Sequence, residues 1–121
     1  MLSLFSRFRK EVQLSPQDAC EIARLSYVVG ERHFPNHGRF IPPVRADLVC
    51  FLEKRTEFIN YWIGWSEDKR WSPAWFFRKV EAGFEVGRTS VDGKIAQSRL
   101  FHSPVEACAD FILKELDEER A

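Results

Sequence analysis

The sequence predicts an α+β fold: an antiparallel meander of three or more strands, helices packed on one face, and a capped helix closing the chain. The first observation is a change of period. Apolar residues recur at helical spacing up to the tryptophan-rich stretch WIGWSEDKRWSPAW, and at strand spacing after Pro73. The second is a repeated start signal. Ser15-Pro16 with Asp18, and Ser103-Pro104 with Glu106, each combine a capping hydroxyl, a proline at the first helical position and an acid in the first turn. The third is the dipeptide Asp92-Gly93 between two alternating runs, the strongest hairpin signal in the chain.

Each element has its basis in local chemistry. Residues 1–12 place Leu4, Phe5, Phe8 and Val12 along one side of a short amphipathic helix, expected to dock on the domain's own core. A helix is predicted over 15–29, with Ala19, Ile22, Ala23, Ser26 and Val29 as its apolar stripe and Gly30 as its end. Residues 31–46 hold three of the six prolines and read as a loop. Asp47 can cap a second helical segment. Residues 47–64 fit a helix better than a hairpin, because Phe58, Ile59, Trp62 and Ile63 have helical spacing; a break is expected near Arg55-Thr56 and an end at Gly64. Three strands are predicted within 73–101, turning at Glu81-Ala82-Gly83 and Val91-Asp92-Gly93. The closing helix, over 104–117, carries the stripe Val105, Cys108, Ala109, Ile112 and Leu116.

The 121 residues suggest one domain over the whole chain, large enough to fold without staples. Eighteen basic side chains balance eighteen acidic ones, which argues against a general nucleic-acid coat. No apolar run reaches the ~20 residues that span a bilayer. The basic residues of the opening segment come after its apolar ones, so it does not read as a secretion signal. Three cysteines without metal-type spacing point to reduced thiols in a cytosol, with Cys20 and Cys108 as buried small hydrophobes.

Catalytic and metal chemistry find little to work with. His33 and His37 have the i, i+4 spacing of a ligand pair, but Pro35 between them disfavours the helix that would align them. Cys50 is the cysteine least bound to an apolar stripe, yet no base accompanies it. Glu67 and Asp68 are adjacent, as solvated loop acids are. No phosphate-binding glycine loop is present. The expectation is no enzyme, no metal and no cofactor. A small RNA-binding domain is the alternative, if Trp75, Phe77, Arg78, Lys79, Phe84, Arg88 and Arg99 form an aromatic and basic sheet face.

RWSPAWFF, then GFEVGR, then FHSPVEACADFIL set an aromatic strand, a short second strand, a third strand and a closing alanine-rich helix in that order. Over roughly residues 70–115 this order resembles immunity proteins of bacterial polymorphic toxin systems, including contact-dependent growth inhibition. The resemblance implies a cytosolic inhibitor, without cofactor, that binds a cognate toxin domain and blocks its active site or substrate path. It supplies no catalytic residues.

Trp62 and Trp75 are expected in the core. Trp65 and Trp71 flank the predicted loop SEDKR, either as lids or as anchors. Aromatic and arginine anchors ringed by charges are the usual chemistry of a tight interface. The residues expected to meet a partner are therefore Glu67, Asp68, Lys69, Arg70 and Trp71, with His33, His37 and Arg39 from the earlier loop. The acidic end of the chain, Glu115, Asp117, Glu118 and Glu119, could face a basic toxin. The chain itself is expected to be a monomer or a weak dimer.

Overall fold

In the computed structural model, residues 12–28, 40–69 and 71–120 are described. Among them the elements run β1 (Val12–Gln13), α1 (Pro16–Val28), β2 (Phe40–Ile41), α2 (Arg45–Lys54), α3 (Glu57–Glu67), β3 (Trp75–Val80), β4 (Gly83–Thr89), β5 (Ile95–Phe101) and α4 (Pro104–Arg120). The fold is α+β, with an antiparallel sheet ordered β3-β4-β5 and a closing helix. The helix expected before Val12, the end at Gly30 and most of the 31–46 loop lie outside the described residues. None of the described helices is long and apolar enough to cross a membrane.

Both helix starts form as the cap chemistry requires. Ser15 Oγ accepts from the Asp18 amide at 3.0 Å, and Ser103 Oγ from the Glu106 amide at 3.1 Å. The helix reading of 47–64 holds, with a break at Arg55, whose φ of −132° and ψ of 66° leave helical geometry. Two of its details differ. Asp47 is not the cap: Val44, extended at φ −67° and ψ 140° after two prolines, starts the helix and leaves Asp47 in its first turn. Gly64 does not end the helix either. A glycine inside a helix costs only about 1 kcal/mol, and the next residue, Trp65, is pulled into the core.

Strand alternation decides what the helices cover. Trp75 and Phe77 stand opposite Arg88 and Val86, and Phe84 opposite Phe101. Phe77, Val86 and Phe101 are buried beneath α3 and α4, and Trp75 and Phe84 pack against the same core. Phe111 of α4 lies at its centre, with ring centroids 5.8 Å from Trp62 and 5.6 Å from Phe77. Trp62 Nε1 donates to the Cys20 carbonyl at 3.0 Å, which ties α1 to α3 and satisfies the one polar atom of a buried indole. At the margin, β1 and β2 make a two-residue parallel pair, and the Leu14 amide extends it to the Ile41 carbonyl at 3.0 Å.

Cys20 and Cys108 are buried and Cys50 is exposed. Burial pushes the Cys20 thiol up to about 12, with Glu21 adding to the effect, and pushes Cys108 well above the ordinary thiol range. A thiol reagent added to the folded protein at neutral pH should titrate one cysteine, Cys50, rapidly. The other two should react only on unfolding, and a Cys50→Ser variant should show no fast phase. Rapid reaction of Cys20 or Cys108 in the native state would contradict this packing.

Candidate functional site

The connection between α3 and β3 is built around one buried carboxylate. Glu115 of α4 accepts from Trp65 Nε1 at 2.8 Å and from Lys69 Nζ at 2.7 Å. Lys69 also donates to the Trp75 carbonyl at 2.9 Å. Its ammonium lies 5.3 Å from the centroid of the Phe111 ring, so the charge is held by a carboxylate, a carbonyl and an aromatic face. The side chains of Lys69 and Glu115 are only 7% and 8% exposed, which removes the screening that weakens surface pairs.

Beside this anchor, Ser66 Oγ accepts from the Phe77 amide at 2.8 Å. The Ala74 amide donates to Thr89 Oγ1 at 3.0 Å, and the Thr89 amide to the Ala74 carbonyl at 2.9 Å. The segment between Lys69 and Trp75 is therefore pinned near both ends, and Trp71 stands out from it, 45% exposed. A groove of about 580 Å³ opens here, lined among others by Glu67, Phe76, Arg78, Lys94 and Ile95. A smaller hollow of about 180 Å³ adjoins it at Ser66, Phe76 and Thr89, and reaches Lys69 and Trp71. The Phe76 ring lies over Gly87, where an added Cβ would fall 2.5 Å from Phe76 Cζ. The absence of a side chain at Gly87 thus leaves the space the ring occupies as part of the groove's apolar lining.

Arg78 crosses the same face, its guanidinium 5.1 Å from the Phe76 ring centroid and paired to Glu85 at 2.7 Å. Burial raises the Glu85 carboxyl, but hydrogen bonds from Arg78 and Ser98, together with the arginine charge, outweigh it and hold the group below its usual range.

The expected partner-contacting residues divide into four groups. Trp71 is exposed as expected, and Glu67 is exposed but lies in the last turn of α3 rather than in a loop. Asp68 is half-buried at the helix end. Lys69 is a correction: it is withdrawn from the surface because Glu115, Trp75 and Phe111 together hold its ammonium. Trp65, expected as a lid or an anchor, is likewise core at 3% exposure. Glu115 does not belong to a solvated acidic tail, since it faces inward to Trp65 and Lys69. Arg70, His33, His37 and Arg39 lie outside the described residues. The RNA-stacking face does not assemble as expected, because Trp75, Phe77 and Phe84 lie on the helix-covered side.

Phe76, Arg78, Lys94 and Ile95 were not singled out together by the sequence. Alternation places Phe76 and Phe77 on opposite faces without saying which face is covered.

The Glu85 carboxyl titrates lower in the folded protein than in the unfolded chain. Its contribution to stability is therefore present above the unfolded pKa and lost as pH falls through the folded one. The difference in unfolding free energy between wild type and Glu85→Gln should shrink on acidification through the carboxylate range. A difference independent of pH would contradict the Arg78–Glu85 pairing. No family model, no curated protein and no solved structure matches the chain, so this groove is read from its own geometry.

Proposed function

We propose that this chain is a binding protein that neutralises a toxin domain by covering it, the role implied by the resemblance to bacterial immunity proteins. Trp71 carries the reading. It is a large ring, nearly half exposed, beside the small hollow that adjoins the groove, on a segment fixed by Lys69 and Thr89. Interface anchors are enriched in tryptophan, and a pre-fixed anchor loses little conformational entropy on docking. Glu67, Arg78 and Lys94 supply the charged rim that orients a partner and speeds encounter. The chain acts by binding and requires no turnover.

The test first asks whether the reading frame directly upstream encodes a large secreted protein with a short toxic C-terminal domain, and then uses that domain; a neighbourhood without one counts against the proposal. Wild-type protein should bind it and restore growth to cells expressing it. Trp71→Ala should weaken binding by about thirtyfold or more, with little change in unfolding midpoint. Glu67→Lys combined with Asp68→Lys should mainly slow association, an effect that salt suppresses. Wild-type affinity in both variants would remove this groove from the interface. Failure of the unmodified chain to bind or protect would overturn the function itself.

A further inference from the structure

The groove of about 580 Å³ has the size of a small-molecule site, since such sites span roughly 300–1,000 Å³. They are mostly apolar, with a few placed polar groups that fix orientation. Phe76 and Ile95 supply the apolar surface here. The charged residues of the lining are Glu67, Arg78 and Lys94, one acid against two bases.

Both bases are held in place and still have donors to give. Arg78 Nε and Nη2 each reach Glu85 Oε1 at 2.7 Å, and Ser98 of β5 hydrogen-bonds the same carboxylate. The guanidinium is thus tied across all three strands, yet the side chain is 50% exposed and only two of its five N–H groups are needed for Glu85. It lies 5.1 Å from the Phe76 ring centroid, so a hydrogen-bond donor and an aromatic surface stand side by side. Lys94 sits on the β4–β5 hairpin. Its amide donates to Asp92 Oδ1 at 3.2 Å, and its carbonyl accepts from the Ser90 amide at 2.8 Å, which fixes its backbone. No carboxylate among the described residues pairs with its exposed ammonium.

We propose that this groove binds a small planar aromatic anion. The ring packs on Phe76 and Ile95, and the anionic group is taken by Lys94 and the remaining N–H groups of Arg78. The excess of basic over acidic lining selects an anion over a cation. The arrangement suits a single small molecule better than a polymer. A nucleic-acid strand needs successive stacking rings along a basic track. Phe77, the other ring of the lining, is fully buried. A peptide strand cannot add at the adjoining β3 edge, because Ser66 takes the Phe77 amide and Lys69 the Trp75 carbonyl. This binding function is additional to toxin neutralisation and does not rest on it.

Titration of the isolated chain with naphthoate, followed by calorimetry and by amide NMR shifts, tests this. Naphthoate should bind with a Kd on the order of 1 mM and shift the amides of Phe76, Lys94 and Ile95. Neutral naphthylmethanol and cationic naphthylmethylammonium should bind at least about threefold more weakly. Lys94→Gln should weaken naphthoate binding about threefold, and Glu67→Gln should tighten it about twofold, both differences fading as salt rises. Phe76→Leu, which keeps an apolar side chain over Gly87, should weaken it about fivefold. Lys94 and Glu67 are exposed, so those two variants keep the fold and the test stands even if Phe76→Leu does not fold. Absence of these shifts at roughly tenfold the expected Kd would overturn the proposal. So would equal affinity for the ammonium probe, or naphthoate binding indifferent to both charge variants. No toxin takes part in the titration, so its failure leaves the toxin reading untouched.

Discussion

The Glu115 carboxylate, buried between Trp65 and Lys69, is the contact on which the arrangement around the groove depends. It joins three elements through charge and hydrogen bonding: α4 supplies the acceptor, α3 the indole, and the segment after α3 the ammonium. Taking two charges out of water is expensive, and the attraction between them offsets that cost only with good geometry and additional hydrogen bonds. Both conditions are met. The carboxylate accepts one bond at each oxygen, and the ammonium has a second oxygen acceptor on Trp75 and an aromatic face nearby. No buried side-chain polar atom among the described residues lacks a partner. A buried pair of this kind is weak evidence for net stability, but it is good evidence for a defined position. A shifted Lys69 would leave two charges desolvated and unpaired.

The same contact links core packing to surface shape. Lys69 reaches the outward carbonyl of Trp75 while Ser66 takes the outward amide of Phe77, so one network positions the chain and seals the β3 edge. Trp71 comes within two residues of Lys69 and inherits that fixed position. On the far side of α4, Asp110 performs a related task, accepting from Arg45 at 2.7 Å and from Lys114 at 3.1 Å, which ties α2 to the closing helix. The two buried acids of α4 thus hold it to the helices on either side, and Phe111 and Ile112 fill the space between.

Much of this fold was legible in the sequence, because its signals are local. A capping serine with proline and an acid can be read in four residues; so can an Asp-Gly turn between alternating runs, or a change of apolar period. The break at Arg55-Thr56 was legible for the same reason. What escaped depends on residues far apart. The parallel pairing of Val12–Gln13 with Phe40–Ile41 involves too few residues for a pattern. Gly64 is a plausible helix end until Trp65 finds Glu115, fifty residues away. Lys69 resembles a loop cation because its partner lies on another helix. Glu115 and Asp110 did carry a usable hint: each is a charge on or beside an apolar helical stripe, where a distant cation can be sought. The groove and the hollow beside it were half legible. Exposed Trp71 and Glu67 could be named, but Phe76, Arg78 and Ile95 could be added only once α3 and α4 had chosen their face of the sheet.

A double-mutant cycle in urea unfolding tests most directly whether Lys69 and Glu115 act as one unit, using Lys69→Met, Glu115→Leu and the combined variant. Each single change should cost roughly 3 kcal/mol or more, since each strands a buried charge. The combined variant should cost less than the sum of the two, with a coupling of at least about 1 kcal/mol. Single costs that add to within about 0.5 kcal/mol would contradict the account, because two groups that add are not holding each other in place.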